Sequence, residues 1–218
     1  RLIGAMLHPL NRPQLDMEKR VVKAGHGVIS PRIAVELPCA VRSDFTRVFA
    51  GPSGCDPYAG SRGEVYMDLF SSGGFAGKGL IDIDAYLFCM SERIPENRVL
   101  SHDALEGAFL RGGYMSDVEV TDGFPSGPLS YYKRLHRWVR GDWQNAPWLF
   151  LKRGRALPAI ERFRLFDSLR RSLVPIMTLA ALCAGFFIPY GGAAAAAAAA
   201  LAACVSQLLL DAGRSLFR

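Results

Sequence analysis

The sequence predicts an α/β domain followed by a basic amphipathic helix and an apolar, membrane-associated segment. Three observations carry that prediction. Short β-branched stretches alternate with helical ones up to about residue 150, glycine-rich loops lie between them, and the 39 positions from Ser172 to Leu210 hold no charged residue. Hydrophobic residues make up 50% of the 218, so the uneven placement, not the total, marks the boundary.

Leu2 to Leu7 and Met17 to Ala24 read as short helices separated by the Pro9–Pro13 loop. Gly27 to Glu36 is β-branched and roughly alternating, hence a strand. Pro31 places it near a sheet edge, because proline donates nothing to a ladder. Gly51 to Gly63 is a long loop, Glu64 to Phe70 a helical turn, and Ser71 to Gly79 a second glycine-rich loop. A strand-to-helix passage follows through Leu80 to Met90. Asp103 to Arg111 is a helix that stops at Gly112-Gly113, where a left-handed cap is wanted. Tyr114 to Val120 is a strand and Thr121 to Gly127 a turn-rich loop. Leu129 to Gln144 is a helix carrying Lys133, Arg134, Arg137, Trp138 and Arg140. Ile160, Phe163, Phe166, Leu169 and Leu173 recur at three- and four-residue steps, the pattern of a helix lying in a membrane interface.

The charge is localised. Lys152 to Arg171 holds seven basic residues against Glu161 and Asp167, so this stretch supplies +5 of the formal +6. Its position before an uncharged run explains it better than nucleic-acid binding does. A hydrocarbon core about 30 Å thick takes roughly 20 helical residues, so the run supplies one or two spans, joined near Pro189–Gly192. Basic residues flanking such a run mark the cytoplasmic side. The expected divisions are a catalytic-type unit over 1–150, an interface segment over 151–171 and a membrane region over 172–210. Cys39, Cys55, Cys89, Cys183 and Cys204 form no CxxC pair, so neither a zinc site nor a disulfide framework is indicated. The opening at Arg1, without an initiator methionine, reads as part of something longer.

Three clusters carry candidate chemistry. In Gly74-Phe75-Ala76-Gly77-Lys78-Gly79, glycines admit a ligand close to backbone N–H groups and Lys78 can meet a phosphate. A merely flexible loop explains it equally well. In Ser101-His102-Asp103-Ala104-Leu105-Glu106-Gly107, Asp103 is placed at a helix start as an acidic N-cap with Glu106 three residues on. A cap fixes the carboxylate and the helix terminus favours its charge, which are also the needs of a general base. In Arg134-Leu-His-Arg137-Trp138-Val-Arg140-Gly141-Asp142-Trp143-Gln144, tryptophan offers a face to a sugar ring and arginines offer donors to a diphosphate. The competing explanation is a solvated basic face with interfacial tryptophans.

The order of these clusters resembles that of the processive family-2-type glycosyltransferases, which include the cellulose and hyaluronan synthases. His102-Asp103 stands where that family has its ED base motif, and Arg134-Leu-His-Arg137-Trp138 where it has QxxRW. The strings Pro95-Glu-Asn-Arg-Val-Leu-Ser-His-Asp103, Leu105-Glu106-Gly107 and His136-Arg137-Trp138 with Arg140-Gly141-Asp142-Trp143-Gln144 are similar to the cyclic β-1,2-glucan synthases of glycosyltransferase family 84. Asp56-Pro57-Tyr58 and Gly77-Lys78-Gly79 with Asp82 and Asp84 look like the same family, so the resemblance covers about residues 1 to 150. It implies the C-terminal part of a GT-A-like domain that moves glucose from UDP-glucose, with inversion, onto the 2-hydroxyl of a growing β-glucan. Asp103 is then the catalytic base, with Gly77, Lys78, Gly79, Arg137, Trp138, Arg140, Asp142 and His102 as substrate-binding candidates. A divalent cation (Mg or Mn) is expected on a DxD motif that would precede Arg1. The bacterial inner membrane, with the catalytic part cytoplasmic, is the expected location; the bilayer and other domains of a longer chain are the expected partners. The QxxRW glutamine is Arg134 here, so contacts made by that glutamine do not carry over. A synthase of other linkage, or a non-catalytic basic membrane adaptor, are the competing functions.

Overall fold

The computed structural model describes residues 1–50, 63–188, 191–202 and 205, which form two units, Arg1–Asp167 and Ser168–Arg218. Residues 51–62, with the Asp56-Pro57-Tyr58 string, lie outside the described residues.

The first unit begins with helix α1 (Leu2–Leu7) and a two-stranded antiparallel hairpin, β1 (Gln14–Asp16) with β2 (Val21–Ala24). A helix over Met17–Ala24 was the expectation, and the structure corrects it. Asp16 accepts the backbone N–H groups of Glu18 and Lys19, at 3.1 and 2.9 Å, and Arg20 turns through φ 53°. That side-chain turn reverses the chain and lets the β-branched Val21 and Val22 enter the core as a strand.

Strand β3 (Val28–Val35) is central to the three-stranded sheet, antiparallel to β4 (Leu80–Ile81) and parallel to β5 (Gly113–Asp122). β4 pairs only with Val28 and Ile29, so at Pro31 the strand has a partner strand on the β5 side alone, and the expected edge is local to that residue. Its missing N–H falls where the register with β5 shifts between Pro31 and Arg32, so the ladder is interrupted where proline could not have donated. Helices α2 (Leu37–Ala40), α3 (Asp44–Phe49) and α4 (Val65–Phe70) follow β3 in the chain. Glu64 caps α4 by accepting the Met67 N–H at 2.6 Å. After the Ser71–Gly79 loop and β4 comes α5 (Ile83–Met90), capped by Asp82 through the Ala85 N–H at 2.9 Å.

Helix α6 (Asp103–Leu110) is the most buried element, with Leu105, Phe109 and Leu110 fully enclosed. Its left-handed C-cap is Arg111 (φ 53°) and not the expected glycine. Gly112 is needed for a different reason: a Cβ there would lie 2.5 Å from the Gly73 carbonyl oxygen. Beyond β5, α7 (Pro128–Gln144) and α8 (Ala146–Phe150) lead to α9 (Ala159–Gly185). Val28, Phe75, Cys89, Leu105, Phe109, Leu110, Trp148 and Leu165 share one core, so α6 packs among residues from both chain ends of the unit.

The amphipathic stripe expected on α9 differs from the buried one. Leu165 and Leu169 are buried, whereas Phe163 and Phe166 are exposed. In the second unit α9 runs on to Gly185, and a further helix covers 192–202. A Cβ on Gly185 would lie 2.6 Å from the Ala196 methyl, so glycine lets these two helices close on each other. No helix of the described residues is long and apolar enough to cross a membrane. The uncharged part of α9, from Ser172 to Gly185, is shorter than the roughly 20 residues a span takes, and Arg170 and Arg171 precede it directly.

A candidate active site around Asp103

Asp103 stands at the first turn of α6, half-buried, and its carboxylate has no hydrogen-bond or ion-pair partner among the described residues. The N-cap position belongs to His102, which corrects the reading of Asp103 as the cap. Glu106 is accordingly not part of a capping box. Its carboxylate, buried at 5% exposure, accepts from His102 Nδ1 at 2.8 Å and from the Tyr86 hydroxyl at 3.2 Å. Burial, with Glu106 adding to it, raises the Tyr86 phenol above its ordinary value, so that hydroxyl stays a donor. His102 is thus oriented from one turn along α6, beside the carboxylate that is left uncommitted.

The glycine loop reaches this carboxylate. Gly77 (φ +74°) is so close that a Cβ built on it would lie 3.0 Å from Asp103 Oδ1 and 3.1 Å from Oδ2. Phe75 is buried against Gly107, where a Cβ would lie 2.9 Å from the Phe75 Cβ. The spacing of Asp103 and Gly107 on one face of α6 therefore sets the path of the loop. Gly79 (φ +156°) passes over the Ile29 carbonyl, 2.2 Å from where a Cβ would sit.

Lys78 is not a free cation. It forms an ion pair with Asp122 at the end of β5, and this hydrogen bond holds the Asp122 carboxyl below its ordinary value, with a smaller contribution from Arg134. Arg134 in turn stacks on Trp138 at 4.7 Å and on Phe124 at 5.0 Å. One indole face is therefore covered by a guanidinium, and Arg134 Nε is buried without a hydrogen-bond partner. The Asp122 carboxylate joins the glycine loop to the basic helix, a residue that no sequence string singled out.

The far end of α7 braces the segment before Asp103. Gln144 Oε1 accepts the Leu100 N–H at 3.0 Å, and Asn145 Nδ2 donates to the Ser101 carbonyl at 3.4 Å. Gly141 is obligatory there, since a Cβ would lie 2.6 Å from the Ser101 Cβ. The Arg140-Gly141-Asp142-Trp143-Gln144 string thus contains positioning residues for the Ser101–Asp103 turn. Arg137 and Arg140 are exposed on α7 and share none of these contacts, and Asp142 is half-buried.

His102, Asp103 and Glu106 place three potential metal-ligand atoms within 4.8 Å of one another. The set does not fit a divalent cation that serves a diphosphate. Such a cation takes oxygen ligands with open positions, whereas Glu106 Oε1 already accepts from both His102 and Tyr86. The arrangement can instead offer one unpaired carboxylate at a helix start, under a loop whose glycines leave backbone accessible.

No protein-family model matches the chain. It is 38% identical over 188 residues, 86% of its length, to cyclic beta-(1,2)-glucan synthase NdvB of Rhizobium meliloti (strain 1021). It spans only 7% of that protein. Sequence identity at this level makes the chain a relative of a cyclic β-glucan synthase, as the SHD and HRW strings implied.

Proposed function

We propose that this chain, as a relative of the cyclic β-glucan synthases, carries the acceptor side of an inverting glucosyltransferase site. The single observation that supports this most is the unpaired Asp103 carboxylate, set at the start of α6 against Gly77. The donor in this account is UDP-glucose and the acceptor is the 2-hydroxyl of a growing β-glucan.

The chemistry assigned to Asp103 is direct displacement. Its carboxylate takes the acceptor hydroxyl proton as that oxygen forms a bond to the anomeric carbon. The bond from that carbon to the diphosphate oxygen breaks, and its electron pair leaves with UDP. The guanidinium groups of Arg137 and Arg140, exposed on α7, supply positive charge for the departing diphosphate. Trp138, half-buried on α7, offers its indole to an acceptor sugar, with Arg134 stacked on the ring. Lys78 contributes through Asp122 to loop position and less to phosphate binding. His102, held by Glu106, borders the base. A divalent cation belongs to a part of the donor site that these residues do not form, and no step is assigned to it.

Association with a bilayer is part of the proposal, through the +5 stretch and the uncharged run after Ser172. The catalytic residues would then face the cytoplasm of a bacterial cell. The test of function is glucose transfer by the full-length protein with UDP-glucose, followed by linkage analysis. A β-1,2 product lost in an Asp103→Asn variant is expected. A product of other linkage would place the protein with a different synthase, and activity indifferent to Asp103 would remove the site.

A further inference from the structure

The first turns of α9 hold a buried charge that the transfer chemistry does not use. Glu161, at 2% exposure, accepts from the Ser72 hydroxyl at 2.6 Å through Oε1 and from Arg164 Nη1 at 3.1 Å through Oε2. Arg164 also donates to the Gly73 carbonyl at 2.9 Å and lies 5.1 Å over the Tyr66 ring. Ser72 and Gly73 begin the loop that ends against Asp103. From there Gly73 N–H donates to the Gly112 carbonyl at 2.7 Å, Phe75 is wedged on Gly107, and Gly77 meets the carboxylate.

Resting on the assignment of transfer to the Asp103 site, we infer that Glu161 and Arg164 are positioning residues that hold the Ser72–Gly79 loop in register with Asp103. Packing does not require this pair, because Leu165 of the same helix already lies in the main core with Trp148 and Leu157. A buried ion pair adds little net stability over an apolar replacement, so stability alone does not account for this one. Here Glu161 bonds Ser72 and Arg164, and Arg164 Nη1 bonds Gly73 and Glu161, so the arrangement selected is that of the loop. Burial pushes the Glu161 carboxyl above its ordinary range, while Arg164 and Ser72 pull it back; the carboxylate therefore depends on both. Because Ser72 and Gly73 are fixed at one end and Phe75 in the middle, a slip at the α9 end is passed on to Gly77. A misplacement of about 1 Å at a reacting centre can cost roughly a hundredfold in rate.

The experiment compares Glu161→Ala, Arg164→Ala and the milder Ser72→Ala with Glu161→Gln, all in the full-length protein. Gln keeps the shape and an acceptor for Ser72. Amide hydrogen exchange is read across Gly74–Gly79, and transfer kinetics are resolved into kcat and KM. Exchange in the loop is expected to rise about ten- to a hundredfold in Glu161→Ala and Arg164→Ala, as when one buried hydrogen-bond partner is removed. A fall in kcat of about 10–100-fold, with donor KM within about threefold, accompanies it, and Glu161→Gln, which keeps one acceptor of the two, loses less than Glu161→Ala. If Glu161→Ala does not fold, Ser72→Ala and Glu161→Gln carry the same readouts at smaller amplitude. Unchanged loop exchange in the folded variants overturns the inference, as does a kcat loss in which Gln fares no better than Ala. The exchange readout is independent of the chemistry at Asp103, so an active Asp103→Asn variant would end the transfer assignment without touching this one.

Discussion

Gly77 faces the carboxylate of Asp103 with room for no side chain between them: a Cβ on Gly77 would lie 3.0 Å from Asp103 Oδ1. Gly77 also has φ +74°, where a side chain is strained by about 1–2 kcal/mol. Gly77→Ala is therefore expected to displace the loop from the base. Transfer by the full-length protein should fall at least about tenfold while the melting temperature moves by only a few degrees. Full activity in this variant would mean that loop and carboxylate do not work together.

Trp138 and Arg134 give a paired prediction. Removing the indole by Trp138→Ala loses acceptor stacking of roughly 1–3 kcal/mol, read as impaired elongation. Arg134→Gln takes the guanidinium off the indole and removes a buried, unpartnered Nε, so the fold should tolerate it. A stability loss in Trp138→Ala with turnover per folded molecule retained would mark the ring as structural only.

Proton linkage gives a test that does not depend on substrate. Burial lowers the pKa of His26 below its ordinary 6.5, although its Nδ1 bonds the Arg111 carbonyl at 3.0 Å. In the window from about 6.5 down to the lower folded value the unfolded chain binds the extra proton and the folded one does not. Stability is therefore lost as pH falls through that window. Chemical denaturation between pH 7.5 and 5.5, compared with His26→Gln, should show a downward slope that flattens in the variant. Equal slopes would contradict the assignment.

Much of this architecture was legible from local chemistry. The α7 helix, the β3 and β5 strands and the strand-to-helix passage at Leu80 follow from periodicity, and Asp82 and Glu64 cap their helices as their side chains allow. The strings that hold His102, Asp103 and Gly77 single out residues that lie together in the fold. What was not legible depended on partners distant in sequence. Asp122 and Glu161 are ordinary acids until Lys78 lies 44 positions away from one and Ser72 lies 89 from the other. The misread of Met17–Ala24 has a local cause: Asp16 bonds two backbone N–H groups and so competes with a helix. Pro31 lies past the end of the two-residue β4 and beside a register shift with β5, so β3 is central in the sheet yet one-sided at its proline.

The most direct measurement of the central claim is transfer by the full-length protein carrying Asp103→Asn. His102 and not Asp103 is the N-cap of α6, and the Asp103 carboxylate has no hydrogen-bond partner among the described residues, so the amide disturbs little of the fold. The loss of a first-turn charge amounts to about 0.3–1 kcal/mol. With folding confirmed by a cooperative thermal transition within a few degrees of the unaltered protein, glucose incorporation from UDP-glucose should fall by about 10²–10⁴-fold, the contribution of a general base. Incorporation within a few-fold of the unaltered protein would contradict the assignment of Asp103 as the base.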